Sequence, residues 1–227
     1  MGLPKISAPY YKHHLKGIDK TIHYRGFTVR EQKILLHAKQ EESKEQEIEA
    51  IKQIVNFCTD GEVHVEDLPF FDIEDLFLRI RSKSVGEQID VYFKDYTAEN
   101  KTIKVTIDLN KIEVTFPEGH DKIIMLDDSL GMKMKYPSFD SISKEMDDFE
   151  MIKECIDVVF QGDEVFVFAD NTEKDKNGFV DDFDSNVLLK IKDFFKTMPR
   201  IRYEQDVTLS DGNVEKIELE GIKDFFQ

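Results

Sequence analysis

The sequence predicts an α+β protein in which helical segments flank a central antiparallel β-meander. The first observation is a change of period: apolar residues recur at helical spacing before residue 87, alternate with polar residues over 87–137, and return to helical spacing afterwards. The second is a set of turn signals between short alternating stretches, as antiparallel strands require. These observations divide the chain into segments 1–86, 87–137 and 138–227, forming one compact unit or two closely packed subdomains.

The first segment is predicted to contain a hairpin followed by three helices. KGID separates the alternating stretches YYKHHL and KTIHYRGF. Thr28 and Glu31 have the spacing of a capping box at the start of one helix, and Gly61 ends the next. In the third helix, Asp72 is the expected N-cap, and a stripe at helical spacing predicts a buried face formed by Ile73, Leu76, Phe77 and Ile80.

The middle and last segments complete the fold. About five strands are expected between residues 87 and 136 from strand signals alone. Helical spacing then returns in FDSISKEMDDFEMIKECIDVVF, followed by a strand in EVFVFAD and a helix in DDFDSNVLLKIKDFFKTMP. SDGN predicts the turn of a terminal hairpin.

Charge and composition exclude several functional classes. The net charge of −16 argues against a general nucleic-acid binder and against binding to an anionic membrane surface. The longest apolar runs, such as IIML and VVF, are too short to cross a bilayer. Cys58 and Cys155 are too few and too far apart for a disulfide framework or a zinc site, so both are expected to be small buried residues.

The stretch EKDKNGFVDDFD, residues 173–184, has much of the ligand pattern of a calcium-binding EF-hand loop. Asp175, Asn177, Asp181 and Asp184 fall at ligand positions, and Gly178 falls where the loop turns sharply. However, a strand pattern precedes the stretch, and its last position is Asp rather than the usual Glu. We therefore interpret it as an acidic connector to the next helix, whose N-cap is expected near Asp184 or Ser185, and a calcium- or metal-binding regulatory module stays an alternative.

The sequence contains no motif that indicates catalysis. It lacks the nucleophile elbow, the P-loop and the dinucleotide-binding glycine pattern. None of the six histidines has a metal-ligand spacing: His13, His14, His23, His37, His64 and His120. We expect no enzyme, cofactor or metal, with a hydrolase that uses an unrecognised acidic site as a further alternative.

Three segments, in this order, carry a resemblance to a known family. They are F-x-V-x-E-x-K-x-L at 27–35, DIEDLFLRIRSKSVG at 72–86 and FFKTMP at 194–199. Together they resemble the baseplate hub assembly family of T4-like contractile-tailed bacteriophages, over roughly residues 3–203. The middle segment is the specific one, and the meander contributes little.

The resemblance implies a non-enzymatic hub component or hub assembly factor that acts through protein–protein contacts. Its partners would be other phage baseplate hub or tail proteins, in the host cytoplasm during assembly and, if it is retained, in the virion baseplate. The partner, the copy number and the oligomeric state are left open. The candidate partner-binding residues are the basic cluster of the third helix and two terminal aromatics: Arg79, Arg81, Lys83, Ser84, Phe225 and Phe226. For the basic cluster, internal salt bridges are the competing interpretation.

Overall fold

The structure, a computed structural model, describes residues 6–41, 43–98, 101–143 and 146–221. The chain divides into a main unit, Met1–Thr115 with Arg200–Gln227, and an inserted unit, Phe116–Pro199. The main unit is therefore discontinuous in sequence, and the bounds differ from those of the three segments expected from the sequence. Phe225 and Phe226 lie outside the described residues.

The described residues form seven α-helices and eleven strands, and every strand pair is antiparallel, which confirms the α+β class. In chain order, the main unit begins with β1 (Tyr10–Leu15), β2 (Lys20–Arg25), α1 (Val29–Glu41), α2 (Lys44–Cys58), α3 (Phe70–Ser82), β3 (Gln88–Asp95), β4 (Lys101–Asp108) and β5 (Glu113–Thr115). The inserted unit follows with β6 (Ile123–Met125), β7 (Leu130–Met134), α4 (Phe139–Ser143), α5 (Asp148–Cys155), β8 (Ile156–Gln161), β9 (Glu164–Val167), α6 (Glu173–Asp181) and α7 (Ser185–Thr197). The chain then returns to the main unit with β10 (Arg200–Thr208) and β11 (Val214–Glu220).

The main unit is organised around α3, which is buried on almost all sides. The predicted stripe is confirmed, because its four apolar residues are at most 3% exposed. The predicted N-cap is wrong: Pro69 occupies that position, and Asp72 instead accepts a hydrogen bond from the Gly17 amide at 3.0 Å. Asp72 thus connects α3 to the turn of the β1–β2 hairpin.

The five strands expected between residues 87 and 136 are present, but they do not form one meander. β3 pairs with β4, β5 pairs with β10, and β6 and β7 belong to a sheet with β8 and β9. The pairing of β5 with β10, through Ile201 opposite Val114, joins residues far apart in sequence. Strand signals in a sequence are local, so they predict where the strands lie but not which strands pair with one another.

Two helix starts follow their predicted signals. At α1, the Glu31 carboxylate accepts hydrogen bonds from the Thr28 amide at 2.7 Å and the Thr28 hydroxyl at 2.6 Å. At α7, the Asp184 side chain accepts from the Val187 amide at 2.9 Å, which confirms the N-cap expected near Asp184 or Ser185. Each carboxylate satisfies an amide at the helix start.

The inserted unit is a four-stranded sheet in the order β6-β7-β8-β9, with helices packed against one face. The core is shared by the sheet and by α5, α6 and α7, and it includes Met132, Val159, Ile191 and Phe194. Helical spacing did not predict β8: α5 ends at Cys155 and the chain continues as a strand. The β-branched residues of IDVVF favour a strand once they pack between neighbouring strands.

The acidic stretch 173–184 is not the connector expected from the sequence. Residues Glu173–Asp181 form α6, which begins at a Thr172 cap that accepts from the Asp175 amide at 3.2 Å. An EF-hand requires these positions to form a loop around the ion. The helix therefore opposes the calcium interpretation, and among the described residues no group of three or more His, Cys, Asp or Glu is placed to hold a metal ion.

Candidate protein interaction surface

The sheet of the inserted unit carries apolar side chains on both faces. On the core face, Ile124, Met132 and Val159 stand next to one another in register and are buried. Side chains alternate along a strand, so the intervening residues point to the opposite side, which we call the outer face. The apolar residues of the outer face are Ile123, Met125, Val158, Phe160, Val165 and Val167, and Lys133 lies among them, opposite Ile123 and Val158.

The outer face is exposed as well as apolar. Ile123, Met125, Val165 and Val167 are 51%, 38%, 64% and 48% exposed, respectively. Val158 and Phe160, at the centre, are half-buried. Contiguous exposed apolar surface of this kind is characteristic of a binding site rather than of an ordinary protein surface.

Gly131 keeps the centre of the outer face flat. It stands opposite Phe160 on one side and Met125 on the other. A Cβ atom at Gly131 would lie 2.4 Å from the Phe160 ring and 2.9 Å from Met125 Sδ, because both side chains close over the glycine. Phe160 and Met125 thus form one continuous surface across three strands.

The two edges of this sheet differ. At the β6 edge, the Ile123 amide donates to Asp121 Oδ1 at 2.9 Å, and the Met125 carbonyl accepts from Lys190 Nζ at 2.6 Å. At the β9 edge, the Val167 carbonyl accepts from Asn171 Nδ2 at 2.8 Å. Among the described residues, no group outside the sheet is hydrogen-bonded to the backbone of Val165.

A cleft of 240 Å³ lies beside β9 on the core face of the sheet. Phe168 and Phe179 form its aromatic part, with ring centroids 6.0 Å apart. The complete lining is Val159, Phe166, Phe168, Asn171, Asp175, Lys176 and Phe179. The cleft continues the apolar core past the last strand of the sheet.

The surroundings of β9 are acidic. Residues 161–184 contain eight acidic and two basic side chains, a net charge of −6. Asp163 and Glu164, at the β8–β9 turn, are exposed. The two lysines lie on α6, where Lys176 pairs with Glu173 at 3.0 Å.

The basic cluster predicted as a partner site lies at the carboxyl end of α3 and makes internal contacts. Arg79 is only 9% exposed. Its guanidinium pairs with Asp75 at 3.0 Å and donates to the carbonyls of Leu109 and Ile112. Arg81 is half-buried, and burial lowers its pKa.

Lys83 and Ser84 continue this set of internal contacts. Lys83 pairs with Glu87, and its ammonium lies 5.3 Å from the centre of the Tyr11 ring. The Ser84 hydroxyl donates to the Ile80 carbonyl at 2.5 Å and accepts from the Phe27 amide at 2.7 Å. These contacts favour the internal interpretation, and partner binding by the cluster stays a prediction.

Buried carboxylates on α3 are the nearest arrangement to the acidic site of a hydrolase. His13 Nε2 lies 2.6 Å from Asp75 Oδ2, and the other Asp75 oxygen accepts from Arg79. Burial, with a smaller contribution from the nearby Asp75 charge, raises the pKa of Asp72 to about 6. Because Asp75 pairs with His13 and Asp72 bonds Gly17, these groups hold the β1–β2 hairpin on α3.

The sequence contained a signal for the outer face that our predictions did not use. Strands with one solvated face alternate apolar and polar residues, whereas strands covered on both faces are continuously apolar. The stretches IIM at 123–125, VVF at 158–160 and VFVF at 165–168 are of the second kind. They indicate a sheet that requires cover on both faces.

An acidic protein with one sheet face left apolar and exposed has the surface expected of a subunit in a larger assembly. The model of the family described as T4 bacteriophage base plate protein matches residues 8–227, and the chain belongs to this family. It is therefore a bacteriophage baseplate protein, and this membership suggests other baseplate proteins as its partners. Comparisons with curated proteins and with solved structures gave no match. Across the described parts of the chain, no helix has the length and apolarity that a membrane span requires.

Proposed function

We propose that this chain is a non-enzymatic component or assembly factor of the baseplate hub, and that it acts through protein–protein contacts in the host cytoplasm during tail assembly. Membership in the baseplate family supports a role in the tail. The exposed apolar outer face is the single observation that supports action through contacts. Covering this face removes apolar surface from water, which is the main driving force of protein association.

The charge distribution supports a protein partner rather than nucleic acid. A chain of net charge −16 repels phosphate, and the surroundings of β9 are themselves acidic. A basic hub or tail protein with an apolar patch would complement both features. The buried ionisable groups of α3 support a role without catalysis, because they make internal contacts.

The first test of this proposal is a pull-down of the tagged chain from infected cells, set beside mass spectrometry of purified virions. Recovery with hub proteins in both samples identifies a retained component. Recovery from assembly intermediates with absence from virions identifies an assembly factor. Recovery with no tail protein in either sample would contradict the proposal.

The second test changes the outer face without changing the fold. In Ile123→Glu/Val167→Glu, both positions are about half exposed, and residue 123 stands opposite Lys133, whose ammonium can be shared between the new carboxylate and Asp157. We expect this variant to remain folded and to lose recovery with hub proteins. Leu189→Glu is the matched control, because Leu189 is 63% exposed in the same unit but lies on α7. Equal loss in both variants would contradict a role for the outer face.

A further inference from the structure

In the part of the chain that the structure describes, the outward backbone groups of Val165 at the β9 edge have no partner and can pair with another strand. Gln161 stands opposite Glu164 across a two-residue turn, so these residues form a hydrogen-bonded pair of the ladder. Pairing alternates along an antiparallel ladder, so Val165 and Val167 direct their amides and carbonyls away from β8. Asn171 bonds the Val167 carbonyl, while within the described chain Val165 has no such partner.

Natural proteins usually protect the edges of their sheets with charges, prolines, bulges or covering segments. The β6 edge follows this rule in part, because Asp121 bonds the outward amide of Ile123 and Lys190 bonds the outward carbonyl of Met125. The β9 edge is protected only in part, by the Glu164 charge and by Asn171 on the Val167 carbonyl, and the side chains of Val165, Phe166 and Val167 are all exposed. An exposed apolar edge of this kind attracts an added strand.

The cleft lies where a side chain of an added strand would point. A new strand would run about 4.8 Å beyond β9, with alternate side chains on the core face beside Phe166. That is the side on which the cleft opens between β9 and α6. A cavity of about 150 Å³ holds a benzene ring, so 240 Å³ accommodates an aliphatic or aromatic side chain.

We infer that the β9 edge binds an extended segment of another protein as a fifth strand of the sheet, with an apolar side chain of that segment in the cleft and basic residues on its flanks. The basic flanks follow from the net charge of −6 over residues 161–184. The same charge disfavours a second copy of this chain as the occupant, since two acidic edges repel each other. This inference rests on the proposed function, because the segment would belong to a hub or tail protein.

The test measures binding of a fluorescent peptide to the full chain by anisotropy. In the peptide, valine alternates with threonine and lysines stand at both ends. We expect saturable binding that weakens as salt concentration rises, because exposed charge pairs are screened. A peptide with glutamates at the ends should bind at least about tenfold more weakly, a factor that corresponds to one lost charge-assisted hydrogen bond.

Two substitutions at residue 165 distinguish the contribution of backbone hydrogen bonds to peptide binding from that of the side chain. Val165→Pro removes an outward amide, and proline is tolerated where the amide of an edge strand faces solvent. We expect it to weaken binding of the lysine-flanked peptide by at least about tenfold, as for one lost hydrogen bond. Val165→Thr keeps the amide and the β-branched shape, and it should bind within about threefold of the wild type.

A charge exchange provides a second route if Val165→Pro does not fold. Asp163→Lys/Glu164→Lys changes two exposed residues of the turn. The variant changes the net charge of residues 161–184 from −6 to −2, so its preference for the lysine-flanked peptide should be clearly smaller than that of the wild type. An unchanged preference would overturn the charge argument, and equal binding by Val165→Pro and Val165→Thr would overturn strand addition.

Self-association is the competing outcome. If sedimentation shows a dimer that Val165→Pro abolishes, the edge binds a second copy and the inference is wrong. The inference fails, and the proposed function stands, under a second outcome: Val165→Pro is recovered with hub proteins as efficiently as the wild type, whereas Ile123→Glu/Val167→Glu is not recovered. Absence of the wild-type chain from every tail intermediate would instead contradict the proposed function, whatever the peptide result.

Discussion

Helix α3 of the main unit and the sheet of the inserted unit differ in which side chains they bury: α3 buries charged residues, whereas the sheet leaves apolar residues exposed. α3 buries charged groups, among them Asp72, Glu74, Asp75 and Arg79. The sheet exposes Ile123, Met125, Val165 and Val167. Burying a charge is unfavourable unless it is paired and hydrogen-bonded, and exposing a contiguous apolar face is unfavourable unless a partner covers it. Most charged groups of α3 have partners within the chain, although Asp72 Oδ2 is buried without a hydrogen bond to the described residues, whereas we propose that another protein covers the sheet.

The largest expected effect comes from breaking the ion pair within α3. Arg79→Leu leaves Asp75 without its cation and removes donors from the Leu109 and Ile112 carbonyls. We expect a loss of about 3–5 kcal/mol in the free energy of unfolding, measured by urea denaturation. Lys83→Ala, at the solvent-accessible end of the same helix, should cost less than about 1 kcal/mol. A stable Arg79→Leu protein that fails to bind hub proteins would instead support partner binding by the cluster.

A smaller effect is expected from Asp72, and it depends on pH. The pKa of this carboxyl is raised from 3.8 to about 6, so the folded protein binds a proton more tightly than the unfolded chain does. Its contribution to stability is therefore full below about pH 4 and is lost as the pH rises through about 6.

Asp72→Asn tests this contribution, because an amide oxygen can still accept from the Gly17 amide. The variant should be more stable than the wild type at pH 8 by on the order of 1–2 kcal/mol, and less dependent on pH between 4 and 6. Thermal melts from pH 4 to pH 8 measure both quantities. A pH profile identical to that of the wild type would show that Asp72 does not titrate there.

The smallest effect on stability is expected on the outer face. Ile123→Glu/Val167→Glu changes side chains that are about half exposed, so its free energy of unfolding should lie within about 1 kcal/mol of the wild type. Urea denaturation of the isolated chain measures this. If this variant lost as much free energy of unfolding as Arg79→Leu does, the outer face would contribute to the stability of the fold. The outer face and α3 would then not differ as described above.

Two capping signals in the sequence predicted local structure correctly, whereas the N-cap expected at Asp72 and the helical spacing expected over β8 did not. Thr28 with Glu31 and Asp184 with Val187 are short-range caps, and both form as their spacing indicates. A third signal of this kind, Thr172 three residues before Asp175, went unused because the calcium-like pattern dominated the interpretation of α6.

What the sequence could not supply were partners distant along the chain. Arg79 looked like part of a surface cluster, but its acceptors belong to Leu109 and Ile112, about thirty positions later. β5 looked like part of a meander, but its partner β10 follows the whole inserted unit. The candidate site shows the same limit, because the apolar runs of β6, β8 and β9 become one face only when the sheet has formed.

The side chains of Asp121 and Lys190 have a consequence for how the protein behaves at high concentration. A sheet with two open edges can join the β9 edge of one molecule to the β6 edge of the next, and repetition of that head-to-tail contact produces a filament. Asp121 on the Ile123 amide and Lys190 on the Met125 carbonyl compete with the second half of such a contact. If β9 adds a strand as we propose, we expect the addition to stop after one step and the isolated chain to form no filaments.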